Sequence, residues 1–254
     1  MMSLDRAVLV VFASLIGLGA SQAGGQPSRC ADCHFANPGS TSLWHLSEWD
    51  NSAHGRKSVG CEGCHGGDPT TFDSFPAHKG ILKATEFGSP VHRMNIPKTC
   101  GACHPGPFAE FQKSRHYELV REGNRDAPTC ITCHGTNGAY LPSPKALKSE
   151  CARCHCAGKV AQHTDRPAEA QNFVRVREIR ALLNESERAV RRIKDSRRRK
   201  ELEGDLREAR AALSASVHAA HSFVFDEMRA RLDIAAKRAD VLREDLARSQ
   251  PIRR

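Results

Sequence analysis

Cys30-Ala-Asp-Cys33-His34, Cys61-Glu-Gly-Cys64-His65, Cys100-Gly-Ala-Cys103-His104, Cys130-Ile-Thr-Cys133-His134 and Cys151-Ala-Arg-Cys154-His155 are five copies of one pentapeptide. Cys-x-x-Cys-His is the attachment site of c-type haem. The spacing follows from the chemistry. In a helical turn, residues i and i+3 lie on one face, so two thiols can add to the two vinyl groups on one porphyrin edge. The next residue swings its imidazole under the ring to meet the iron. At this chain's cysteine and histidine frequencies, chance supplies about 0.03 such matches. Zinc ribbons use Cys-x-x-Cys pairs two at a time, and five is odd. Neither zinc nor a disulfide framework explains a histidine after every pair.

Working outward, residues 24–157 hold only 18 Leu, Ile, Val and Phe in 134 positions. A chain so poor in large apolar residues does not collapse on its own side chains. Five covalently attached haems, large and apolar, would supply the missing core. The expected fold is mainly α: an irregular, haem-packed domain of short helices over 24–157, then a long helical hairpin over 158–254. The expected attachment residues are Cys30, Cys33, Cys61, Cys64, Cys100, Cys103, Cys130, Cys133, Cys151 and Cys154. The proximal iron ligands are His34, His65, His104, His134 and His155.

Thirteen histidines leave eight beyond the motifs: His45, His54, His78, His92, His116, His163, His218 and His221. That surplus favours iron held by two imidazoles, which suits electron transfer. Two of them share a context. Trp49-Asp-Asn-Ser52-Ala-His54 precedes the second motif and Phe111-Gln-Lys-Ser114-Arg-His116 precedes the fourth. Both read aromatic-x-x-Ser-x-His before Cys-x-x-Cys-His-Gly, as in a duplicated two-haem unit.

With Cys61-Glu-Gly-Cys64-His65-Gly-Gly-Asp-Pro, Ala77-His78, Ile96-Pro-Lys-Thr-Cys100 and Ala127-Pro-Thr-Cys130, these stretches resemble multihaem c-type cytochromes. The class includes cytochrome c nitrite reductase, hydroxylamine oxidoreductase and their tetrahaem partner cytochromes. The resemblance covers about residues 28–156. It implies closely packed haems passing electrons along a chain, with His54, His78 and His116 as distal ligands. Related chains often carry a histidine shortly after such a Cys-x-x-Cys-His-Gly; here Asn137 stands there. One haem must therefore take its sixth ligand from elsewhere or lack one.

After Cys156, the unpaired eleventh cysteine, the character changes. Residues 158–254 carry 23 basic and 16 acidic side chains, and Pro167 opens a helical pattern. Val176, Ile179, Leu183, Val190 and Ile193 keep three-four spacing, and the stripe resumes from Leu202 to Leu246. The register slips at Lys194-Asp-Ser-Arg-Arg-Arg-Lys-Glu, read as the turn of an antiparallel hairpin. A single long helix with a stutter is the other reading. His218 and His221 share a face of the second arm. In the resembled cytochromes a C-terminal helix lies on the haem domain and a His-x-aromatic such as His221-Ser-Phe223 is often distal, so both are candidate ligands.

The first residues read as a leader: Arg6, the apolar run from Ala7 to Ala20, and Ser21-Gln22-Ala23 as a small-x-small cleavage site. Cleavage there leaves the formal charge at +9. Two propionates on each haem would roughly offset it, so the charge is no nucleic-acid signal. The expectation is an exported, periplasmic, pentahaem c-type cytochrome of respiration, membrane-bound only if the leader is retained. It would transfer electrons between redox partners: a quinol-linked donor, other cytochromes or a terminal reductase. The alternative is an oxidoreductase acting on nitrite or hydroxylamine at one open haem.

Overall fold

The computed structural model describes residues 28–37, 39, 41–138, 140–159 and 163–249. The leader read at 1–23 lies outside the described residues. Among those residues every regular element is helical. The first ten helices are short: α1 (Arg29–Ala36), α2 (Leu43–Asp50), α3 (Ala53–Arg56), α4 (Glu62–His65), α5 (Ser74–Ala77), α6 (Ile96–Gly101), α7 (Pro105–Phe111), α8 (Arg115–Arg121), α9 (Cys130–His134) and α10 (Pro144–Ala152). Few apolar side chains are buried among them, chiefly Ala31, Leu46, Ile96, Phe111, Val120 and Ala127. Several large ones stay out: Trp44 is 78% exposed and Phe75 84%. The architecture is the expected one, mainly helical with short helices first and long helices last.

Local chemistry sets these short helices. Ser52 Oγ accepts from Gly55 N–H at 3.0 Å and Ser114 Oγ from Tyr117 N–H at 3.1 Å. Both serines are buried N-caps. The twin Ser-x-His therefore means a capped helix with its histidine at the second helical position. Thr129 and Thr132 form a capping box before α9. Ser143 caps α10, with Pro144 at its first position.

After α11 (Arg166–Glu169) come α12 (Asn172–Val190), α13 (Ser196–Ala219) and α14 (Phe225–Arg248). Their inward stripes make one apolar core, including Ile179, Leu183, Leu202, Leu213, Met228, Leu232 and Leu242. Cross-links give the directions. Arg198 bonds the Asp245 carbonyl, Glu208 pairs with Arg238, and Arg231 bonds the Ala215 carbonyl. Partners fall along α14 as they rise along α13, so the two are antiparallel. Arg229 and Arg175 pair with Glu169 and Asp233, so α12 runs with α14.

The hairpin turn falls at residues 191–195, with Asp195 capping α13 at 2.6 Å from Arg198 N–H. The basic run thus forms the first turn of α13 rather than the bend. The second arm is itself broken, so the tail is three helices rather than two. A 3-10 turn (Ala220–Ser222) is followed by Phe223 at φ +60°, a left-handed conformation unusual for a bulky residue. This corner docks on the short helices α7 and α8. The Phe223 ring meets Phe111 at 6.3 Å and His116 at 4.3 Å.

Candidate haem centres

All five motifs close the expected helical turn. Motifs one and four lie inside α1 and α9. In the others, the histidine N–H bonds the first cysteine's carbonyl: His65 to Cys61 at 2.9 Å, His104 to Cys100 at 2.9 Å and His155 to Cys151 at 2.8 Å. Gly66 and Gly135, at φ +76° and +79°, then turn the chain away as only glycine does without strain.

Each motif histidine faces a second histidine. Ring centroids are 5.9 Å apart for His34–His78, 6.0 Å for His45–His65, 5.9 Å for His54–His104, 6.2 Å for His134–His221 and 5.9 Å for His116–His155. Two metal–imidazole bonds of roughly 2.0–2.1 Å, plus the depth of each ring, put centroids about 6 Å apart. The residues therefore fit an iron shared between each pair. No group of three or more His, Cys, Asp or Glu among the described residues could hold a bare metal ion. Opposed pairs suit a metal whose four remaining ligands come from a macrocycle.

The rings are prepared for that role. Nδ1–H donates to a backbone carbonyl in four of them: His54 to Asn137 at 2.8 Å, His78 to Ser74 at 2.7 Å, His134 to Tyr140 at 3.2 Å and His221 to Val217 at 3.0 Å. A carbonyl only accepts, so each Nε2 keeps its lone pair. Burial, then the neighbouring His45, lowers the His65 pKa, and burial, then His54 and His134, lowers that of His104. Burial lowers His221, and burial, then His155 and Arg166, lowers His116 to about 4. Each shift favours the neutral ring, the form that binds metal.

The motifs are neighbours in chain order. Burial and then the Cys30 thiol raise Cys61 to about 11. Cys64 is raised by burial and by Cys100 and Cys103. Cys100 and Cys130 lie beside each other, and burial, then Cys151, raises Cys133 to about 11. None of the ten motif cysteines is in a disulfide, nor is the half-buried Cys156.

His54, His78, His116 and His221 are thus brought to motif histidines. His218 is not. Its ring packs on Gly106, where a Cβ would stand 2.7 Å away, and its Nε2 lies 3.4 Å from Ser214 Oγ. The 3-10 turn rotates His221 out of the register that His218 keeps with α13. His92 sits 5.6 Å from the Phe87 ring, and His163 is exposed. The resemblance singled out His54 but not the nearby His45. The structure separates them onto α2 and α3, so that His45 meets His65 and His54 meets His104. The histidine of the motif just before Asn137, His134, faces His221.

A family model described as cytochrome c7 and related cytochrome c matches residues 85–156. A model for cytochrome c554 and c-prime matches residues 17–66. The C-type polyheme cytochrome OmcC of Geobacter sulfurreducens is 28% identical over 125 residues, 45% of this chain. The chain spans 15% of that relative's length. No solved structure matches. No helix among the described residues is long and apolar enough to cross a membrane. With five Cys-x-x-Cys-His turns and their facing histidines, these similarities support a multihaem c-type cytochrome.

Proposed function

We propose that the chain is an exported pentahaem electron-transfer cytochrome, each iron held between a motif histidine and its facing partner. One observation carries this reading: every motif histidine faces another histidine at about 6 Å. Haem supplies reversible one-electron exchange. The chain's own part is to anchor ten thioethers, to hold neutral imidazoles on both faces and to keep successive motifs adjacent. The thiol neighbours favour a path in sequence order, first motif to fifth. Partners of this kind of protein are other redox proteins, including cytochromes, a quinol-linked donor or a terminal reductase. The narrower kinship with the nitrite reductase and hydroxylamine oxidoreductase class rests on the sequence resemblance alone. An open catalytic haem is not favoured, because no motif histidine lacks a facing partner.

The test is haem stoichiometry with electron paramagnetic resonance on the purified ferric holoprotein. Five covalent haems, all low-spin and unmoved by cyanide or nitrite, are expected. Fewer than five, or a high-spin signal that shifts with nitrite, overturns the reading.

A further inference from the structure

Asn137 follows the fourth attachment motif, yet its hydrogen bonds run to the partners of two other motifs. Its backbone carbonyl accepts from His54 Nδ1 at 2.8 Å. Its side-chain amide donates to the Glu48 carboxylate at 2.9 Å and to the His45 carbonyl at 3.1 Å. His45 faces His65 of the second motif, and His54 faces His104 of the third. The flanking glycines permit the approach. A Cβ on Gly138, at φ +59°, would stand 2.9 Å from His54 Cε1. A Cβ on Gly135 would stand 3.1 Å from Glu48 Oε1 and 2.7 Å from the Tyr140 ring.

We infer that the loop of residues 135–138 is a clamp, with Asn137 as the positioning residue that sets the distal histidines of the second and third haems. This rests on the bis-histidine reading above. A carbonyl on Nδ1–H fixes ring rotation and raises the donor strength of the opposite nitrogen. The amide ties α2, and with it His45, to the segment that anchors the fourth haem. Three haem sites are thereby joined through one residue that itself binds no metal.

The experiment compares the ferric holoproteins of the parent, Asn137→Ala, Asn137→Asp, Gly138→Ala and Glu48→Gln by electron paramagnetic resonance and redox titration. Asn137→Ala cuts the tether to α2 and should shift one low-spin signal and one midpoint potential, those lost in His45→Ala. Asn137→Asp keeps the shape without the donor and should reproduce that shift, which a merely space-filling role would not. Gly138→Ala should push His54 off, replacing one low-spin signal with a high-spin signal that binds cyanide. If Asn137→Ala fails to mature, Glu48→Gln decides, since it weakens the same tether without a cavity. Unchanged signals in Asn137→Ala and Glu48→Gln, beside a parent with five low-spin haems, overturn the clamp alone. A parent without five low-spin haems overturns the bis-histidine reading and the clamp with it.

Discussion

The ring planes distinguish one histidine pair from the rest. His134 and His221 are nearly parallel, 8° apart, while His45–His65 stand at 87° and His34–His78 at 77°. Parallel imidazoles split the two iron d orbitals that perpendicular ones leave nearly degenerate, so the fourth haem should give the most rhombic low-spin signal, with His54–His104 at 50° and His116–His155 at 63° between the extremes. His221→Ala should abolish that signal and leave a high-spin, cyanide-binding haem; a His221→Ala protein that keeps it sinks the assignment. His116 offers a pH handle. It is buried against Phe223, its Nδ1 has no hydrogen-bond partner, and its pKa falls from the ordinary 6.5 to about 4. A depressed histidine pKa means the fold favours the neutral ring. That contribution is full above about 6.5 and is lost as the pH falls toward 4. Ligation to iron would add to that preference, so the low-spin signal missing from His116→Ala should persist in the parent at pH 4 and below. Its conversion to high spin near pH 6.5 would show the ring to be accessible. Motif residues were legible because five positions carry their whole chemistry. Partners were only half legible, because His54 reaches His104 across 49 intervening residues and nothing local marks that choice.

Among the elements, the tail shows where pattern reading fails and where it holds. The bend near 191–195 was visible as a register slip. The break after Ala219 was not, because neither glycine nor proline marks it and Phe223 takes the left-handed position. A signal was present nonetheless. Buried positions Leu202, Leu206, Ala209, Leu213 and Ser216 alternate by four and three, and so do Phe225, Met228, Leu232, Ala235, Ala239, Leu242 and Leu246. The buried steps from Ser216 through Ala219, Ala220 and Ser222 to Phe225 are three, one, two and three, a break in that alternation. It marks the corner that carries His221 to the fourth motif. The bundle's stability comes from this packing rather than from its ion pairs, which are mostly exposed and worth little. Leu232 is fully buried at the centre. Leu232→Ala should cost about 2–5 kcal/mol of helical unfolding free energy in a urea titration followed by circular dichroism. Arg238→Ala, at an exposed pair, should cost less than about 1 kcal/mol. Equal losses would place the stability in the charges.

Across the whole molecule, apolar burial is lopsided. The contiguous core belongs to the last three helices, while the haem domain buries only a few scattered apolar side chains. Its motif histidines and their facing rings stand about 6 Å apart, and burial raises the pKa of Cys61, Cys64, Cys133 and Cys151. Without haem, ordering this domain would cost conformational entropy with little apolar burial to offset it. The bundle needs no such help. In a host that cannot attach haem, limited proteolysis should therefore digest the segment before about residue 166 and leave the bundle intact. The holoprotein should resist over its full described length. Cys64→Ala should lower haem content and full-length yield together, since the second motif lies between the first and third in the row of neighbouring thiols. A haem-free chain whose cytochrome segment resists protease as well as its bundle does would show that side chains alone build that domain.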